Sequence, residues 1–271
     1  MDFQTILVSD SGHIRTITLN RPDRRNAMTP EMQMELIAAL EETAASDFRV
    51  LVLTGAGDAF CSGLDLSALK TMGEKTAAEY RADAERIARL FLALYDLPIP
   101  TIAAIHGPAI AGGAGLAIIC DFTLATPESK FGFTEARIGF VPALVSAFLA
   151  LQIDGRHVRD LLLTGRIIDA PEAYRIGLVN EVAAPEELSH CVQALAETLI
   201  ANSLQSLKTT KHLLALQNKD WLDAAIALAL EANALSRETA DFREGITAFL
   251  EKRKPIWGTS SRSGPKPPRP N

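Results

Sequence analysis

The sequence predicts an α/β fold made of βαβ units, and three observations carry that reading. Two nearly continuous apolar runs, Val50-Leu51-Val52-Leu53 and Ile102-Ala103-Ala104-Ile105, have the length and composition of strands buried on both faces. A glycine-containing turn follows each, and the order strand, turn, helix, strand recurs, as in a parallel sheet crossed by helices. From about residue 143 onward the pattern is mostly helical.

The elements follow in chain order. Ile6-Leu7-Val8, a turn at Asp10-Ser11-Gly12, and the alternation Ile14, Thr16, Thr18, Asn20 predict a β-hairpin. Residues 21–28 form a polar loop. Thr29 as N-cap, Pro30 at the first helical position and Glu31 behind it open a helix with Met32, Leu36, Ile37 and Leu40 on its apolar face. A second helix over 74–96 turns Ile87, Leu90, Phe91 and Leu94 inward and stops before Pro98 and Pro100. After the strand at 101–105 come a Gly-rich turn, a helix and a strand at 121–125. Helices are expected over 143–151, 155–164, 170–176, 186–201, 204–217, 221–236 and 238–251. The division expected is an α/β core over 1–200 and a helical region over 201–257. The latter is too apolar to stand alone and so should pack on the core or on another subunit. A Pro-rich tail over 258–271 is expected to be disordered.

Composition narrows the function classes. With 271 residues, 48% hydrophobic and 22% charged, the chain can bury a sizeable core, and a net charge of −6 argues against general electrostatic binding to nucleic acid or to acidic membranes. Cys61, Cys120 and Cys191 are widely spaced and form no metal-binding pattern, which points to a reducing compartment. The first residues lack a basic segment followed by an apolar run, and no apolar run reaches bilayer length, so a cytoplasmic protein is expected.

Two glycine-containing turns could carry chemistry. They are Ala59-Phe60-Cys61-Ser62-Gly63-Leu64-Asp65-Leu66 and residues 106–116, with Gly112-Gly113-Ala114-Gly115. Free N–H groups at such turns can stabilise a developing negative charge, and two aimed at one oxygen make an oxyanion hole. Taken singly, each is more often only a turn. Neither has the Gly-Lys-Ser/Thr ending of a nucleotide loop or the G-x-G-x-x-G spacing of a dinucleotide site. Glu135, among Phe133, Ile138, Phe140 and Val141, is the best proton carrier, because an apolar setting raises a carboxyl's pKa; the plain alternative is a solvent-facing carboxylate. Cys61 reads as a small packing residue, and His106 as a structural histidine at a strand end.

The order of segments adds a resemblance. Leu19-Asn20-Arg21-Pro22-Asp23-Arg24-Arg25-Asn26-Ala27-Met28, residues 54–66, residues 106–121, Phe131-Gly132-Phe133-Thr134-Glu135-Ala136-Arg137-Ile138-Gly139, Leu163-Thr164-Gly165-Arg166 and Arg243-Glu244-Gly245 resemble, in order and spacing, the motifs of the crotonase (enoyl-CoA hydratase/isomerase) superfamily. The similarity runs over roughly residues 5–256. It implies a crotonase-like spiral of βαβ units with a C-terminal helical trimerisation region, assembly as a homotrimer or hexamer, and acyl-CoA thioester substrates. Coenzyme A would be part of the substrate, with no other cofactor and no metal. It implies oxyanion amides at Leu64 and Gly112 and acid–base work at Glu135. Ser62, Asp65 and Leu66 would lie along the CoA path, with Arg25 and Ala27 bordering the adenine and phosphate region. Arg25 reads equally well as a surface cation.

The chain departs from that pattern at Gly115, where hydratases of the well-known type carry a first glutamate. Δ3,Δ2-enoyl-CoA isomerases are similar in keeping only the glutamate matching Glu135. The Thr-Glu-x-Arg-Ile-Gly-x-x-Pro-Ala spelling at 134–143 resembles methylglutaconyl-type hydratases instead. Hydration of a 2-enoyl-CoA is the favoured reading, with isomerisation or a catalytically silent acyl-CoA- or partner-binding role as alternatives. The acyl pocket should depend on residues 67–90, Met72 and Tyr80 included.

Overall fold

The computed structural model describes residues 3–65 and 76–258; Leu66 and Met72, and all of the Pro-rich tail except Gly258, lie outside the described residues. A six-stranded sheet runs in the order β1 (Ile6–Ser11), β2 (Ile14–Leu19), β3 (Val50–Gly55), β4 (Thr101–Ile105), β6 (Phe122–Ala125), β9 (Glu181–Val182). The β1–β2 hairpin is antiparallel and every later pairing in this sheet is parallel. Alternation along the strands explains the two covered faces. Ile14, Val50, Val52, Ile102, Ala104 and Leu124 pack under α7 (Leu188–Ala201). Ile17, Leu19, Leu51, Leu53, Ala103 and Ile105 face the main core, with residues of α1 (Pro30–Ala44), α2 (Ala77–Tyr95), α3 (Gly112–Ile119) and α4 (Ala143–Gln152).

A second, three-stranded sheet joins β5 (Pro108–Ile110), β7 (Lys130–Gly132) and β8 (Ile167–Asp169). Two single bridges extend it: Cys61 pairs with Ala109, and Leu64 with Met28. Each circuit of the chain thus contributes a strand to the large sheet and, a few residues later, an extended segment to the small one. The two glycine-containing turns meet that second layer.

The loop over 21–28 is fixed by one side chain. Asn26 is fully buried; its Oδ1 accepts from the Arg21 N–H at 2.8 Å, and its Nδ2 donates to Ala56 O at 2.9 Å and to Ala59 O at 2.8 Å. This ties the first circuit to the second and holds Arg25 and Asn26 at φ 49° and 53°, a region that non-glycine residues rarely occupy.

The helix starts follow their caps. The Thr29 hydroxyl accepts from Met32 N, and Thr76 with Glu79 forms a capping box that starts α2 at 77 rather than 74. Two differences from the sequence reading stand out. The Gly-rich turn contains β5, a strand of three residues. The helices expected over 204–217 and 221–236 are one helix, α8 (Leu204–Ser236). Asn218 and Asp220 are poor helix formers, but neither glycine nor proline interrupts the stretch. Asn218 Nδ2 also donates to Leu214 O, and Lys219 pairs with Asp223 one turn on. The last helix, α9 (Ala240–Leu250), packs against residues 135–138, where a Cβ added at Gly245 would lie 2.2 Å from Ile138 O.

Replacing Asn26 with Ala should remove the partner of one buried and two part-buried backbone groups and destabilise the protein by about 3 kcal/mol. Urea denaturation measures this. Asn26→Asp should be no rescue, since it keeps the acceptor and loses both donors.

Candidate active site

Residues 61–65 run as an extended rung between two other segments. On one edge Ser62 N donates to Arg25 O, Met28 N to Gly63 O and Asp65 N to Met28 O; on the other, Cys61 N donates to Pro108 O and Ile110 N to Cys61 O. Gly63 lies at φ 91°, and a Cβ there would come 3.0 Å from Ile110 O and 3.6 Å from the Gly112 nitrogen. Contact this close needs glycine. It brings the Leu64 turn against the start of α3.

Ala111, the N-cap of α3, sits at φ 51° and ψ −124° with its N–H given to Gly132 O at 2.7 Å. A non-glycine residue is strained there, by an amount on the order of 1–3 kcal/mol. Among the described residues, neither the Leu64 N–H nor the Gly112 N–H donates to another protein group. Gly112 opens α3, so its N–H belongs to the helix's free N-terminal set.

Glu135 begins a 3-10 turn, Glu135–Ile138, which Gly139 closes at φ 65°. A Cβ on Gly139 would meet Asp241 O at 2.2 Å, so α9 clamps the turn from outside. The Glu135 side chain is 7% exposed, and its Oε2 is buried without a hydrogen-bond partner. Burial pushes its pKa up to about 7, against a smaller lowering by a backbone hydrogen bond. A carboxyl held near neutrality exchanges protons readily in both directions.

Leu64, Gly112 and Glu135 line one cavity of about 120 Å³, together with Ser62 and a largely apolar wall that includes Phe91, Val141 and Leu144. That volume exceeds the space of a single water several-fold, enough for a small organic group. Among the described residues, Glu135 is the one acid on its wall. At Gly115 there is no room for a second. A Cβ would come 2.7 Å from Phe91 Cζ and 3.1 Å from Val145 Cγ2, and Phe91 is fixed by an edge-on contact with Phe148.

The other residues singled out from sequence fall beside the cavity. Arg25 is exposed and contributes its carbonyl to Ser62. Ala27 is buried, with its carbonyl taken by Arg21 Nη1. Asp65 pairs with Arg21 at 2.9 Å. Cys61 is buried and its thiol is pushed up to about 12, so it is a packing residue. His106 Nε2 meets Gly57 O at 2.9 Å. No cluster of three or more potential metal ligands occurs among the described residues.

Sequence reasoning passed over Asn233 and Arg237 at the end of α8, and Phe242 and Phe249 of α9, all on the cavity wall. The available signal was an arginine inside an Ala/Leu-rich helical stretch.

Comparison with known proteins agrees with the motif order. A family model described as enoyl-CoA hydratase/isomerase matches residues 9–260. A Thermus thermophilus protein, provisionally named an enoyl-CoA hydratase, is 44% identical over 91% of this chain and 98% of its own length. A crotonyl-CoA hydratase of Syntrophomonas wolfei is 32% identical over 94% and 98%. The crystal structure of an enoyl-CoA hydratase from Mycobacterium avium is 33% identical, covers 95% of this chain and 100% of its own, and superposes with a TM-score of 0.85. The chains share one fold, the spiral expected from the sequence.

The raised pKa of Glu135 sets a pH dependence of stability. Below its ordinary value of 4.5 the group is protonated whether folded or unfolded; as pH rises toward about 7 only the unfolded chain ionises freely, so stability falls. Glu135→Gln should therefore be more stable than the native protein at pH 8, by up to about 3 kcal/mol, with the gap closing by pH 4. Thermal melts across that range test the sign.

Proposed function

This chain belongs to the enoyl-CoA hydratase/isomerase family, and from that premise we propose that it adds water across the double bond of a 2-enoyl-CoA thioester, with Glu135 as its one acid–base carboxyl. The observation that carries the proposal is the meeting in one cavity of two undonated backbone N–H groups, at Leu64 and Gly112, with a buried unpaired carboxyl poised near pH 7. The crotonyl-CoA hydratase name of a relative supports it.

The chemistry balances with these groups alone. Ionised Glu135 takes a proton from water as the oxygen bonds to C3. The C2=C3 electron pair shifts toward the thioester, whose oxygen becomes an enolate held by the Leu64 and Gly112 N–H groups. Each such donor is typically worth about 3 kcal/mol of barrier. The enolate collapses, C2 takes the proton from the Glu135 carboxyl, and the catalyst is regenerated. One carboxyl on one side of the double bond adds both parts to the same face. Coenzyme A enters as part of the substrate, along Ser62 and Asp65 toward Arg25 and Ala27, and the steps call for no further cofactor.

A second reading, Δ3,Δ2 isomerisation, is favoured by one observation. The wall at Gly115 is filled by Phe91 and Val145, so that side of the cavity offers no polar group to hold water. There Glu135 would lift a proton from C2 and return it at C4.

The exposed Leu213, Leu214, Trp221, Leu228 and Leu235 of α8 and Leu250 of α9 suit burial between copies of the chain. We propose assembly as a trimer, paired or not into a hexamer. Analytical ultracentrifugation should give a mass three or six times that of the chain; a monomer would refute this.

Hydration should appear as loss of the conjugated-thioester absorbance on adding a 2-enoyl-CoA, and isomerisation as its gain from a 3-enoyl-CoA. A protein that binds acyl-CoA and does neither is a silent family member. The active form carries ionised Glu135, so kcat/KM should rise through about pH 7 and then level off, with no descending limb from a second carboxyl. Glu135→Gln should lower kcat at least about 100-fold and leave thioester binding in place.

A further inference from the structure

The same cavity carries a second set of polar groups on its wall. Arg237, at the C-terminal end of α8, lines it with a side chain only 1% exposed, and its Nη1 is buried without a hydrogen-bond partner. Its Nε donates to Asn233 Oδ1 at 3.1 Å, and Asn233 lines the cavity too. The guanidinium lies 5.6 Å from the Tyr80 ring centre and 5.3 Å from that of Phe140, so aromatic faces fix its position.

Among the described residues, the charge around it is unbalanced. Asp83 approaches Arg237 Nη1 only to 3.7 Å, beyond hydrogen-bond reach, while its other oxygen accepts from Arg86 at 2.6 Å. Arg86 gives its remaining hydrogen bond in this cluster to neutral Gln33. Two arginines thus share one carboxylate. Glu135 is on the same wall, but its Oε2 is itself without a hydrogen-bond partner and it makes no ion pair with Arg237.

We propose that Arg237 and Asn233 recognise a carboxylate borne by the acyl chain, so that the preferred substrate is the mono-thioester of an unsaturated dicarboxylic acid. This rests on the acyl-CoA reading above and deepens it. A plain hydrocarbon chain would close the cavity over a buried cation with an unmet donor, which is costly. A carboxylate supplies the acceptor for Nη1, a partner for the Asn233 amide N–H, and the missing negative charge in a charge-assisted contact. The geometry divides the cavity: amides at Leu64 and Gly112 for the thioester end, a cation for the free end, and Glu135 for the carbons.

The test uses two saturated five-carbon thioesters, glutaryl-CoA and valeryl-CoA, which differ in the terminal carboxylate and cannot be hydrated or isomerised. Calorimetry on the native protein should give glutaryl-CoA a Kd at least 10-fold below that of valeryl-CoA. Arg237→Met should bring that ratio to about one or reverse it. Equal or tighter binding of valeryl-CoA by the native protein overturns this inference and leaves the acyl-CoA reading standing, whether or not the variant folds. A native preference that persists in folded Arg237→Met overturns the assignment to Arg237. Binding of neither thioester overturns both the inference and the reading it rests on.

Discussion

The position of every group in the candidate site depends on residues 61–65 being hydrogen-bonded along both edges. One edge is held by the loop over 25–28, the other by β5. Neither neighbour is a long strand, and neither would hold an extended segment alone. Together they fix the backbone of Leu64 to within the tolerance of a hydrogen-bond ladder. Asn26 secures the first neighbour through three hydrogen bonds, and the pairing of β5 with β7 secures the second and carries the chain on to Glu135. The amide at Leu64, the amide at Gly112 and the carboxyl at Glu135 are thus set by three successive circuits of one spiral.

Several costs concentrate where those circuits meet. Ala111 has a backbone conformation that suits glycine, Glu135 keeps an oxygen away from water with no partner, and Arg237 keeps a nitrogen in the same state. None of these improves the core. They persist because the surroundings over-determine them: Gly132 O takes the Ala111 N–H, α9 presses on the Glu135 turn without a gap, and two rings flank Arg237. Among the described residues three buried side-chain atoms lack a partner, and two of them, Glu135 Oε2 and Arg237 Nη1, line this one cavity, as expected of a site prepared for something it does not itself contain.

How much of this was legible in the sequence depends on the range of the interaction. The hairpin, the caps at Thr29 and the inward faces of the first two helices are local, and residues 6–55 and 77–105 folded as their periodicity indicates. The ordered motifs singled out turns whose residues Leu64, Gly112 and Glu135 share a cavity wall. What local pattern could not supply is which distant side chain fills a given space. Gly115 read as a missing carboxyl, yet only coordinates show that Phe91, 24 positions earlier, has taken the room. Arg237 was one cation in a helical stretch read as an assembly surface, because its burial comes from Tyr80 and Phe140, far away in sequence. The break expected near 218 failed for the opposite reason, since weak helix formers do not end a helix that tertiary packing supports.

The wall contributed by α8 and α9 changes the meaning of the C-terminal region. A helix pair that served only to join subunits would turn apolar side chains outward and leave the α/β core to hold the substrate. Here the outward face does carry leucines, but Asn233, Arg237, Phe242 and Phe249 turn toward the cavity. Gly245 lets α9 touch the backbone of Ile138, within the turn that bears Glu135. A displacement of α9 would therefore move the Glu135 carboxyl and this part of the cavity wall together. The same helices present their other side to solvent in a single chain, so whatever packs against that side in an assembly bears, through one layer of helix, on the geometry of the carboxyl.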